Sequence, residues 1–229
     1  MSEENDVISM ITANVVEGVI NNLPDGVLPE PDMVNFYKLA EKRILWLDTT
    51  VDLSMVAHER MILLWNLEDI GLPVEKRKPI RLMIFNYGGD ADMAYSMIDI
   101  IKASKTPVYT YNMGMSASAA GLILMAGHKR FGLPNSQVLI HQGSASVEGD
   151  IGKVLDANDV IKKSVKKMQD FILENTHIPS QLLKRKKSND WTLNAQEALD
   201  YGVIDHLITD LDVAFDGVQR PYGDNNETR

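Results

Sequence analysis

Apolar positions along this chain fall into alternating strand-like and helix-like runs. ILWL at 44–47 reads as a short strand, followed by a helix over about 53–70 that Gly71 and Pro73 stop. IRLMIFN at 80–86 is too continuously apolar for an edge strand. It runs into Tyr87-Gly88-Gly89-Asp90 and a helix carrying Met93, Met97, Ile98 and Ile101 on one face. The unit then recurs: PVYTYN at 107–112 is a strand and MGMSAS at 113–118 a turn. AAGLILMAG at 119–127 follows as a helix apolar on every side and therefore buried. QVLIH at 137–141, after a Leu-Pro-Asn-Ser turn, is a third strand.

Between Asp150 and Asn175 one long helix is expected. Ile151, Val154, Ile161, Val165, Met168 and Ile172 form its stripe, and KKSVKK its charged face. A helix and a short final strand, separated by Gly202, fill 194–208. At the ends, residues 1–33 read as an arm in which Val7, Ile11, Val15 and Val19 suit a short amphipathic helix before the breaker-rich LPDGVLPEP. Residues 213–229 read as a polar tail, leaving 34–212 as the folded domain. Strands alternating with helices imply an α/β fold.

Composition narrows the function classes. With 229 residues and 45% hydrophobic content the chain can bury a core and lies outside the disordered classes. A net charge of −9 opposes binding to phosphate backbones or anionic lipid, so neither a nucleic-acid nor a membrane partner is expected. Zero cysteines remove disulfides, thiolate metal sites and a cysteine nucleophile. The acidic N-terminus is unlike a signal peptide, and no apolar run approaches the roughly 18 residues of a membrane span. A cytoplasmic location is expected.

Two glycine turns follow consecutive strands, where α/β folds place ligands and where backbone amides are free to face an anion. Neither matches a dinucleotide fingerprint or a Walker loop, so no nucleotide or other cofactor is expected. Gly89 and the residue after Ser118 instead offer two amides suited to an acyl-transfer oxyanion, although a Gly-Gly pair equally suits tight strand–helix packing. Ser118 itself opens a buried helix and reads first as an N-cap, with Ser116 a rival for either role. The turn lacks the Gly-x-Ser-x-Gly elbow. Of five histidines, His141 closes a central strand and is the best placed base, whereas His58, His128 and His177 fall on helix or turn surfaces. Asp190 is the carboxylate before the last helix, where it equally suits a turn. No HExxH spacing or compact His/Asp/Glu cluster suggests a metal site.

In chain order these pieces resemble the ClpP family of serine peptidases, the proteolytic subunits of ATP-dependent Clp proteases. The resemblance rests on MGMSASAAG at 113–121, KRFGLPNSQVLIHQ at 129–142 and DWTLNAQEALDYGVID at 190–205. It extends more loosely from about Val34 to Thr209. It implies Ser118 as nucleophile, His141 as general base and Asp190 as orienting acid, with oxyanion amides at Gly89 and Ala119. The implied fold is a ClpP/crotonase-like α/β domain of repeated ββα units, with the helix near 150–175 as the handle by which rings meet. The implied substrates are unfolded polypeptides, the implied assembly a homo-oligomeric ring or double ring of heptamers, and the implied partner an AAA+ unfoldase.

Four departures stand against that pattern. The family's Ser-Pro-Gly-Gly is Asn86-Tyr87-Gly88-Gly89 here, and its His-Gln-Pro is His141-Gln142-Gly143, followed by SASVEG in place of a glycine-rich strand. The Asp-Arg pair before the catalytic acid is Ser188-Asn189, and the arm does not match the axial loop. Two other readings follow from the same residues. One is a crotonase-like acyl-CoA hydratase or isomerase using the paired amides, and the other a non-catalytic ring subunit.

Overall fold

The computed structural model describes residues 31–144, 147–186 and 189–216. Its centre is a twisted, mostly parallel sheet. Strands β1 (Ile44–Leu47), β2 (Ile80–Asn86), β3 (Val108–Ala117) and β4 (Lys129–Gly132) lie side by side in chain order. Helix α1 (Pro31–Glu41) precedes β1, and α2 (Val56–Glu68), α3 (Ala91–Ala103) and α4 (Ala119–Ala126) make the successive crossovers. Parallel neighbours require such crossovers, which is why the helical and strand periodicities alternate along the chain.

β2 shows why most of its sequence is apolar. Leu82 and Ile84 join the main core under the helices, together with Ile98, Ile123 and Leu124. Met83 points to the other face, where Tyr109, Tyr111 and Phe131 form a second cluster beneath Ala214 and Phe215 of the last helix, Leu211–Asp216. Both faces of the strand are covered over residues 82–84, as their apolar run requires, while Phe85 beyond them is 44% exposed. Every residue of α4 is buried, which explains its lack of a polar side.

β3 is longer than the sequence suggests, because residues 113–117 continue the strand instead of turning. Its first half pairs with β4, and Met115, Ser116 and Ala117 pair with β5 (Gln137–Ile140). The handover falls at buried Asn112, whose side chain donates to Gln137 O at 2.8 Å and accepts from Gly114 N–H at 3.2 Å. Gly114 stays extended beside a ring: a Cβ there would meet Phe85 at 2.6 Å. Composition alone made Gly114 look like a turn residue, but a new pairing partner overrides that preference.

α5 (Ile151–Asn175) is the expected long helix, about 37 Å at 1.5 Å per residue. Asp150 caps it by accepting from Lys153 N–H. Only Phe171 and Ile172, in its last turns, are buried, so most of its length projects from the domain. A short helix, α6 (Ser180–Lys186), follows, and β6 (Trp191–Asn194) pairs antiparallel with β5. α7 (Ala195–Asp200) starts at a capping box formed by Asn194 and Glu197. β7 (His206–Leu207) joins the far edge of β4, and α8 is the helix Leu211–Asp216. The predicted helix over 53–70 is a 3₁₀ turn, Leu53–Met55, leading into α2. The amphipathic segment of the arm lies outside the described residues.

Candidate active site

Sheet pairing brings the three sequence candidates together. Ser118 follows β3 and donates its amide N–H to Leu139 O at 2.8 Å, so pairing with β5 extends as far as the serine. The backbone then turns abruptly into α4, with Ser118 at φ 53° and ψ −123°. A non-glycine residue in that region is strained and is held there by its surroundings. The expected N-cap does not form: the Ser118 side chain bonds no helix amide. Its hydroxyl instead lies 2.7 Å from Nε2 of His141. A capping serine has extended backbone angles, and the sharp strand-to-helix turn removes them.

His141 is the residue directly after β5. The antiparallel register pairs Ile140 with Trp191, and continuing it by one residue sets Asp190 opposite His141. Asp190 Oδ1 lies 3.6 Å from His141 Nδ1, an ion-pair distance longer than a hydrogen bond. The Asp190 side chain is 72% exposed against 29% for His141. Behind the imidazole, Ile140, Met168, Leu183 and Trp191 line a small apolar pocket at the base of α5.

The rival residues lie elsewhere. Ser116 is fully buried in β3, and its hydroxyl has no hydrogen-bond partner. His58 Nε2 lies 2.7 Å from Trp46 O, and His128 Nδ1 accepts from Val108 N–H at 3.0 Å. Among the described residues no group of three or more His, Asp or Glu is arranged to hold a metal ion.

The glycine turn packs directly against the serine. A Cβ at Gly88 would sit 2.8 Å from Ser118 Cβ and 3.2 Å from Ala119 N, so a side chain has no room. Gly89 forms an isolated bridge with Val51, and a Cβ there would collide with Val51 O. Val51 N–H donates to Gly88 O at 3.0 Å, and Asp90 N–H to Val51 O at 2.7 Å. In a trans peptide the N–H points opposite to the C=O, so holding Gly88 O toward Val51 turns the Gly89 N–H away from it. The close approaches at Gly88 and Gly89 account for the pair, and they bring the turn beside the Ala119 amide at the start of α4. The sequence reading missed the two side-chain contacts that brace this turn. Asn86 Oδ1 accepts from Gly88 N–H at 2.7 Å, and Asn86 Nδ2 donates to Thr49 O. The signal was present as Asn-x-Gly, an Asx-turn pattern.

The family model described as Clp protease matches residues 31–210. The chain belongs to the Clp protease family. Similar Clp chains include the ATP-dependent Clp protease proteolytic subunit 2 of Treponema denticola, 39% identical over 133 residues. That alignment spans 57% of this chain and 66% of the relative, just under two thirds of its length. The subunit of the same description from Corynebacterium glutamicum is 32% identical over 178 residues, covering 76% of this chain and 85% of the relative. Among solved structures, a point mutant of ClpP1 from Listeria monocytogenes superposes with a TM-score of 0.66 at 24% identity, over 76% of this chain and 96% of that one. This last likeness is one of fold. The α/β architecture with its projecting helix is therefore that of a Clp protease chain. No helix among the described residues is long and apolar enough to cross a membrane.

Proposed function

We propose that this Clp protease family member is a serine endopeptidase subunit that hydrolyses peptide bonds of unfolded polypeptides in the cytoplasm. The observation that carries the reading is the 2.7 Å approach of Ser118 Oγ to His141 Nε2 at a strained strand-to-helix turn. His141 takes the hydroxyl proton as Ser118 attacks the scissile carbonyl, and the tetrahedral oxyanion is met by the Gly89 and Ala119 amides. Protonated His141 then gives its proton to the leaving amine. Water, deprotonated by the same imidazole, releases the acyl group and restores the serine. Asp190 holds the Nδ1 proton and favours the imidazolium as it forms.

Self-assembly belongs to the same reading. Leu63, Leu64, Leu67 and Ile70 leave one side of α2 and the residues after it exposed, and Ile151, Val154 and Leu155 do the same at the start of projecting α5. Apolar faces of this extent suit burial against further copies in a homo-oligomeric ring. ATP dependence would reside in an AAA+ unfoldase that threads substrate, since the hydrolytic step proposed here uses only this chain's residues and water.

The Ser118–His141 pair favours hydrolysis over acyl-CoA hydration or isomerisation, which would use the paired amides without a nucleophile. Labelling with a serine-reactive fluorophosphonate, with mass mapping of the adduct, tests the assignment. Reaction at Ser118 that vanishes in Ser118→Ala is expected. An assembled chain that cleaves no peptide and takes no label overturns the assignment and leaves the non-catalytic ring subunit.

A further inference from the structure

The Gly88-Gly89 turn is made of two residues that tolerate almost any backbone angle, here φ 99° and φ 150°. Tyr87 precedes them, 72% exposed, with no pyrrolidine ring to fix its φ. A segment this permissive does not hold an amide in one direction by itself. Its peptide planes need partners on both sides.

On one side Val51 supplies backbone partners, holding Gly88 O and accepting from Asp90 N–H. On the other side the restraint comes from Asn86, which is 2% exposed. Its Oδ1 receives the Gly88 N–H at 2.7 Å, closing an Asx-turn, and its Nδ2 is anchored on Thr49 O. The strand register shifts between Ile84 and Asn86, so Asn86 meets Ser116 of β3 just past an irregularity in the pairing. Asn86 thus fixes the Gly88 N–H while Val51 fixes the Gly88 C=O, and together they set the plane that carries the Gly89 N–H.

Resting on the peptidase reading, we infer that Asn86 is a positioning residue for the oxyanion site, acting through the Gly88 amide rather than touching substrate. Loss of its side chain frees the turn to rotate the Gly89 amide out of line, which weakens transition-state binding more than substrate binding.

The test is steady-state hydrolysis of a fluorogenic peptide together with the rate of fluorophosphonate labelling, on the assembled full chain. In Asn86→Ala, kcat is expected to fall about 10- to 100-fold, below the loss of a whole oxyanion donor, with KM changed less than about twofold. Labelling should slow in parallel. Asn86→Ser can still accept the Gly88 amide through its hydroxyl and should recover kcat to within about fivefold of the parent. Asn86→Asp is nearly isosteric and covers the case in which the alanine variant does not fold. Its carboxylate cannot donate to Thr49 O and sets a buried negative charge against that carbonyl at the base of the turn, so kcat should drop at least about tenfold at neutral pH. Unchanged kcat in a folded alanine or aspartate variant, a rise in KM alone, or a serine variant no better than alanine overturns the inference while parent activity stands. A parent chain that neither cleaves nor labels overturns the peptidase reading, and this inference with it.

Discussion

Gly88 lies so close to Ser118 that the two residues share one space: a Cβ on Gly88 would stand 2.8 Å from Ser118 Cβ and 2.8 Å from Ala117 O. The second of these contacts is backbone and cannot swing aside. Gly88 also has φ 99°, which side-chain-bearing residues rarely adopt. Gly88→Ala is therefore expected to destabilise the chain by about 1 to 3 kcal/mol and to displace the serine turn. Thermal melts should show the loss, and fluorophosphonate labelling of the folded fraction should fall at least about tenfold. Labelling at the parent rate would mean that the turn and the serine move independently.

Asp190 and His141 differ in exposure, and their roles separate accordingly. His141→Ala removes the base and should lower kcat by about 10⁴- to 10⁶-fold. Asp190 stands 3.6 Å from Nδ1 and is largely open to water, which supplies a competing partner for the imidazole. Asp190→Asn is expected to cost less than His141→Ala, about 10²- to 10³-fold in kcat, with KM near the parent value. A pre-steady-state burst of product seen with the parent chain and lost in the variants would show that acylation is the step affected. Equal losses in the two variants would indicate that Asp190 closes on His141 when substrate binds.

How far the site could be read from sequence depended on what each residue's signal was made of. The place of His141, though not its role, was legible because the residue closes the apolar run of β5. Asp190 was legible only through the resemblance, since β6, whose register sets it opposite His141, is four residues long and follows a basic run. Ser118 was misread locally because composition at the start of a helix favours a cap, whereas its backbone angles are imposed by β5 pairing. The continued strand at 113–117 was hidden for a related reason, since it depends on β5, more than 20 residues away in sequence. Of the Asn86 brace, the Asx-turn onto Gly88 was signalled locally by Asn-x-Gly, and only the anchor on distant Thr49 was hidden.

The exposed apolar residues of α2 and α5 predict distinct assembly defects. Leu67 is 54% and Ile151 81% exposed. Leu67→Glu places a charge on the side of α2, and Ile151→Asp places one at the free end of α5. If these surfaces meet other copies, each variant should sediment as a smaller species than the parent while its melting behaviour changes little. Since the two surfaces lie on different elements, the double variant should dissociate further than either single one. Parent-like sedimentation of the double variant would remove the self-assembly reading.

Away from the site, the start of the domain is fastened by Arg43, and that fastening makes stability depend on acid. Arg43 leaves α1 with φ 57°, a conformation usually given to glycine, and grips Asp69 at the end of α2 with both terminal nitrogens, at 2.7 and 2.9 Å. Thr106 Oγ1 donates to the same carboxylate at 2.7 Å. Burial of Asp69 opposes its ionisation, but the hydrogen bonds from Arg43 and Thr106 and the charges of Arg43 and Arg77 outweigh it, lowering its pKa below the ordinary 3.8. A carboxyl more acidic folded than unfolded contributes stability that is fully present above the unfolded value. That contribution drains away as pH falls from about 4 through the lower folded pKa. Asp69→Asn should cost about 3 kcal/mol at pH 7, because it leaves the Arg43 charge without its bidentate partner. The gap between parent and variant in urea melts should narrow steadily from pH 5 to pH 2. A gap constant across that range would mean that packing, not charge, holds the turn.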